Sequence, residues 1–244
     1  MSWVLAEARR DPDACPHVEN PEPPELVYGM TVDDVQRLHD EACASARVTL
    51  ANGKSRAIRK DQKTLITVVA SHPATVDEWR SNPDVRAAVD EWEHRTVVWL
   101  REQYGAQLVS VIRHKDESHP HLHAYILPED LRANRLHPGA AAKERVMAAG
   151  PAEGEDAKAL NKRGDLAYRQ ACREWQDSYW ERVGLLCGLT RLGPARRRLS
   201  REAWKEEQQA AEGVRKALAA ARELQEKGHA YVVKTKREAR KKMA

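Results

Sequence analysis

The stretch HKDESHPHLH, residues 114–123, places four histidines, an aspartate and a glutamate within ten positions, and the apolar run AYILP follows it. Side chains two apart on an extended chain share a face, so His121 and His123 would project together, about 7 Å apart at the backbone and close enough to hold one ion. His114 ends the preceding strand-like run QLVSVIRH, and KDESHP between the runs has the length and composition of a hairpin loop. Closing that hairpin sets His114 opposite the other two. Three neutral imidazoles with an open position suit a borderline divalent ion such as Mn, Zn or Fe. Asp116 and Glu117 could orient a histidine through its second nitrogen or act as a base, and Glu117 is assigned this role ahead of Asp116.

The elements that must carry this motif are legible in outline. SWVLAEARR reads as a first strand, and the five prolines among residues 12–24 exclude regular structure from the segment that follows, so DPDACPHVENPEPPELVYG is expected to be a long loop. Thr31 caps a short helix bearing Val35, Leu38 and Ala42 on one face. KTLITVVAS reads as a buried strand. From Pro83 to Gly105, the repeat of Val85, Val89, Trp92, Thr96 and Trp99 predicts a long helix, with Trp92 and Trp99 in the core. Residues 129–164, rich in Ala, Gly and charge, are expected to form a flexible excursion with one helix. DLAYRQACREWQDSYWERVGLL is a second amphipathic helix.

These elements predict an α+β domain over residues 1–199, an antiparallel sheet backed by helices, followed by a charged helical tail over 200–244 that projects or pairs with a helical partner or a second copy. The four cysteines are far apart and read as reduced thiols. No apolar run approaches the length of a bilayer, and no basic-then-apolar leader opens the chain, so a cytoplasmic protein with no membrane partner is expected. The net charge is only +4, yet cations cluster in RAIRK and RLGPARRRLSREAWK. Arg56, Arg59, Lys60, Arg196, Arg197 and Arg198 are therefore candidate phosphate contacts.

HKDESHPHLH also fits the pattern His-x-Asp-Glu-x-x-Pro-His-x-His of the MobV/Pre plasmid mobilisation relaxases, members of the HUH endonuclease superfamily. SRAIRKD, the opening MSWVLAEARR and the segment from ALNKRGD to TRLGP resemble the corresponding parts of that family, so the resemblance spans residues 1 to about 205 and is strong in the histidine motif. It implies a relaxase fold with a ferredoxin- or RRM-like palm, and a divalent ion, Mn2+ or Mg2+, bound by His114, His121 and His123. It also implies site- and strand-specific nicking of single-stranded or hairpin origin DNA through a covalent 5′-phosphoryl intermediate, in plasmid mobilisation or recombination.

The family's His-Asn and Asn-Tyr motifs are not intact here. His17, in CPHVENPEPP, and Tyr28, in LVYG, are the candidates for the missing nucleophile. Three alternatives share parts of the pattern: a rolling-circle replication initiator, a relaxase-derived DNA-binding module without activity, and a histidine-triad nucleotide hydrolase using His119, His121 and His123. The last leaves His114, Asp116 and Glu117 unexplained and places Pro120 where a strand would need a ladder donor.

Overall fold

The computed structural model describes residues 2–49, 51–191 and 200–242. Two compact units divide at Gln176/Asp177. The first is α+β. It holds a four-stranded antiparallel sheet of order β1-β5-β6-β4, formed by Glu25–Gly29 (β1), Ile66–Ser71 (β4), Leu108–His114 (β5) and His121–Ile126 (β6). Arg47–Thr49 (β2) and Ser55–Ala57 (β3) make a separate small hairpin.

The chain opens with a helix, Ser2–Ala8 (α1), and not with the expected strand. Its apolar residues do not alternate. Leu5 and Ala8, three apart, are both fully buried, which is a helical stripe, and Glu, Ala and Leu favour helix intrinsically. The sheet's outer strand comes instead from ELVYG, at the end of the proline-rich segment expected to be loop throughout. The prolines stop at residue 24, so β1 loses no ladder donor.

Helix α2 (Val32–Ser45) forms where expected, with the Thr31 hydroxyl accepting from the Asp34 amide at 3.2 Å and Asp33 and Asp34 in the first turn. α1 and α2 cover one sheet face, where Leu5, Ala8, Val32 and Val35 pack with Ile112 and Tyr125. A short helix, Val76–Ser81 (α3), precedes the long helix Pro83–Tyr104 (α4), which Asn82 caps and Gly105 ends. α4 lies on the opposite face, with Glu93 bonded to Arg113 of β5 at 3.0 Å and Trp92 and Trp99 buried as expected.

β4 pairs only with β6, so it is an edge strand with every second residue exposed, where a buried strand was expected. Residues 129–164 hold two helices ahead of the next long one: Ala133–Leu136 (α5) and Pro138–Ala149 (α6). Pro138 occupies the first turn of α6 while His137 Nδ1 accepts from the Ala140 amide at 3.2 Å, so the apparent breaker starts a helix. Ala157–Tyr179 (α7) packs Trp175 edge-on against Trp99 at 4.9 Å. In the second unit Arg201–Lys242 (α8) is helical, as the tail was expected to be. Among the described residues no helix is long and apolar enough to cross a membrane.

Gly29 ends β1 at φ +79°, and a Cβ there would run into the carbonyl oxygen of Val109 on the neighbouring strand. Gly29→Ala should therefore cost about 1–3 kcal/mol. Gly213→Ala, on α8 with open space around it, should cost nothing. Urea unfolding of the two variants checks the contrast.

Candidate metal centre

The β5–β6 pairing sets His114 opposite His121 and Ile112 opposite His123. All four side chains therefore lie on the α1–α2 face. The imidazole centroids are 4.7 Å (His114–His123), 5.2 Å (His121–His123) and 5.3 Å (His114–His121) apart. One nitrogen from each ring lies within 4.8 Å of the others, and the side chains are buried, at 1%, 7% and 7% exposure for His114, His121 and His123.

The hydrogen bonds around the cluster decide which nitrogens are free. His114 Nε2 lies 2.9 Å from the carbonyl oxygen of Ala8, at the end of α1. A carbonyl can only accept, so Nε2 carries the proton and Nδ1 keeps its lone pair. That Nδ1, like His123 Nδ1, is buried without a partner. His121 Nδ1 likewise donates to the His119 carbonyl at 2.9 Å, and its Nε2 lies 3.5 Å from the Glu117 carboxylate. A cation held between the rings would satisfy the two orphaned buried nitrogens, with the Glu117 carboxylate beside it. The group could hold a divalent ion. Burial, reinforced by neighbouring charge, pushes His114 down to about 4 and His123 to about 3, so both are neutral at neutral pH and keep the lone pairs that ligation needs.

Asp116 and Glu117 divide their work through a residue that the sequence did not single out, Arg10. Its Nε and Nη2 donate to the two Asp116 oxygens at 2.9 and 2.7 Å, and Nη2 also donates to Glu117 Oε1 at 2.8 Å. Arg10 follows α1 at φ +65°, an uncommon conformation for a side chain of this size. The Arg10 and Asp116 side chains are 2% and 0% exposed. Burial alone would raise the Asp116 carboxyl, but the bonds from Arg10 and from the Glu22 amide outweigh it and hold it below the usual carboxylate range. Asp116 thus anchors the loop. Glu117, about one-third exposed, faces the histidines, the position proposed for it from sequence.

His17 reaches the same place: its Nε2 lies 3.9 Å from Glu117 Oε1, on a side chain that is about half exposed. Tyr28 does not. It pairs with Val111 on β5, which directs it to the α4 face, and its ring lies under the Arg101 guanidinium at 5.3 Å. The tyrosine is on the opposite side of the sheet from the histidines. His119 stays with the loop, its Nδ1 donating to the Ala74 carbonyl at 2.9 Å.

Arg56 and Arg59 line one open cavity together with Lys63 and Arg132, while Arg59 is tied to Asp61 at 2.7 Å. Lys60 is exposed beside them. Arg196, Arg197 and Arg198 lie outside the described residues. Nothing in the sequence flagged Arg10, because its partners are more than a hundred positions away and become neighbours only when the hairpin returns to the end of α1. No family model, no curated protein and no solved structure matches the chain.

Two consequences are measurable. Mn2+ or Zn2+ at about a hundred times its dissociation constant should stabilise the fold by roughly 2.7 kcal/mol; the thermal shift should appear with the wild type and vanish in His123→Ala. Asp116→Asn leaves Arg10 buried beside a neutral group and should cost about 3 kcal/mol in urea unfolding, whereas Glu117→Gln, nearer to solvent, should cost much less.

Proposed function

We propose that this chain is a metal-dependent DNA-nicking enzyme of the HUH type, similar to the MobV relaxases, acting on single-stranded or hairpin DNA at a transfer or replication origin. The observation that carries the reading is the meeting of the buried histidine trio with Glu117 and His17 at one end of the sheet. The antiparallel sheet with helices on both faces supports a palm-like relaxase fold.

An ion held by His114, His121 and His123 would supply Lewis-acid polarisation of one phosphate oxygen. Three imidazoles favour Mn2+ or Zn2+ over Mg2+, which prefers oxygen ligands. His17 is the nucleophile in this reading. The lone pair of His17 Nδ1 attacks phosphorus, and Nε2–H, which faces Glu117 at 3.9 Å, gives its proton to that carboxylate as the imidazole becomes positively charged. The P–O3′ bond breaks, O3′ leaves with the bonding pair and takes up the proton that Glu117 received from His17, passed through water, and the 5′ end is left joined to His17 through a P–N bond. That bond retains the free energy for rejoining. Tyr28 has no part in it, since it sits across the sheet from the histidines.

Incubation with Mn2+ and labelled single-stranded and hairpin oligonucleotides, followed by mass spectrometry of tryptic peptides, tests this directly. The expected adduct is on the peptide containing His17, absent from His17→Ala and reduced more than a hundredfold in His121→Ala. An adduct at Tyr28 would reassign the nucleophile. Tight binding with no adduct on any substrate would make the protein a DNA-binding module.

A further inference from the structure

The face of β4 beside the histidines is uncovered. Its residues Thr67, Val69 and Ser71 pair with Tyr125, His123 and His121 of β6, so they share the histidine face, and all three are exposed, Val69 at 57%. α1 and α2 pack over Ile112, Tyr125 and Leu65, just before β4, and leave Thr67, Val69 and Ser71 exposed. Ser71 stands at the histidine end. Five residues away, roughly 17 Å at strand spacing, the lane opens into a cavity of about 550 Å³ lined by Lys63, Leu65, Thr67, Lys143 and the rings of His137 and Tyr168. Those two rings stack at 5.4 Å with a 22° tilt. Lys63 and Asn134 also line the second cavity, of about 450 Å³, where Arg56 and Arg132 stand.

Three of the cations along this path are not cancelled. Arg56, Lys63 and Arg132 are exposed and make no ion pair with any described residue. Arg59 is neutralised by Asp61 and Lys143 by Asp165, leaving Glu144 as the acidic group on the cavity wall. A path with free cations at one end, an aromatic pair in the middle and an exposed strand face centred on Val69 suits a polyanion whose bases are unpaired, because only unpaired bases offer a face for stacking.

We infer that the uncovered face of β4 and the two cavities at its start form a track for single-stranded DNA, guiding the strand from Arg56, Lys63 and Arg132, past Tyr168 and over Val69, to the histidine cluster. The inference rests on the DNA-nicking reading and extends it. It assigns Lys63, Arg132, Tyr168 and Val69 to substrate binding, and it places the strand beyond the reactive phosphate on the β4 side of the sheet.

Fluorescence anisotropy with a labelled 20-mer oligo(dT) and a 20-base-pair duplex, across a salt titration and without added metal, tests the track separately from the chemistry. Lys63→Glu combined with Arg132→Glu should weaken single-strand binding more than tenfold and flatten the salt dependence, since each lost phosphate contact removes about 0.7 from the slope. Tyr168→Ala should weaken it about tenfold. All three residues are exposed, and circular dichroism checks that the variants fold. Unchanged affinity in both variants, or duplex binding as tight as single-strand binding, would overturn the track while leaving the adduct experiment free to support nicking. Variant-sensitive single-strand binding with no adduct would support the track and remove the nicking reading. A wild type that binds neither oligonucleotide would overturn the track outright.

Discussion

The register of one hairpin governs the rest of the molecule. With His114 opposite His121, the three imidazoles fall on the face toward α1 and α2. A slip of one residue in β6 would turn His121 and His123 to the α4 side and leave His114 alone. The register is secured by what surrounds it, since both strands are flanked on each side by another strand and every residue of β6 is buried. Burial on both faces makes a slip costly everywhere along the strand, because apolar and polar side chains would exchange environments together.

The loop at the end of this hairpin is held by a second, more local constraint. Arg10 grips Asp116 with two nitrogens and reaches Glu117 with one of them. A buried ion pair of this kind contributes little net stability, because desolvating both partners offsets most of their attraction. Its effect is positional. It ties the end of α1, whose Ala8 carbonyl fixes the His114 tautomer, to the loop that supplies Glu117. The histidine cluster and the neighbouring carboxylate are thereby held by one connected network.

How much of this was legible depends on the range over which each feature is determined. The hairpin, the α4 helix with Trp92 and Trp99, the Thr31 cap and the helical tail all follow from patterns within a few turns of chain, and they appear as read. The opening segment misled because a short apolar run lacks the length to distinguish two periodicities, and the burial of Leu5 and Ala8 against Ile112 and Tyr125 decided for helix. His137-Pro138 misled because proline both ends and starts helices, and the side-chain cap that selects the second outcome is seen only in three dimensions.

By itself the sequence determined which chemistry was available: three histidines in a spacing that an antiparallel hairpin brings together, with two carboxylates in the loop between them. Strand alternation and hairpin closure are local properties, so the trio could be named from spacing. Tertiary structure decided everything that depends on contacts between distant segments. It brought His17 to Glu117, sent Tyr28 to the other side of the sheet, paired Arg10 with Asp116 across more than a hundred residues and left the β4 face open beside the histidines. None of these leaves a periodic trace in the chain, because each is the outcome of how strands are ordered in the sheet and which face the helices cover.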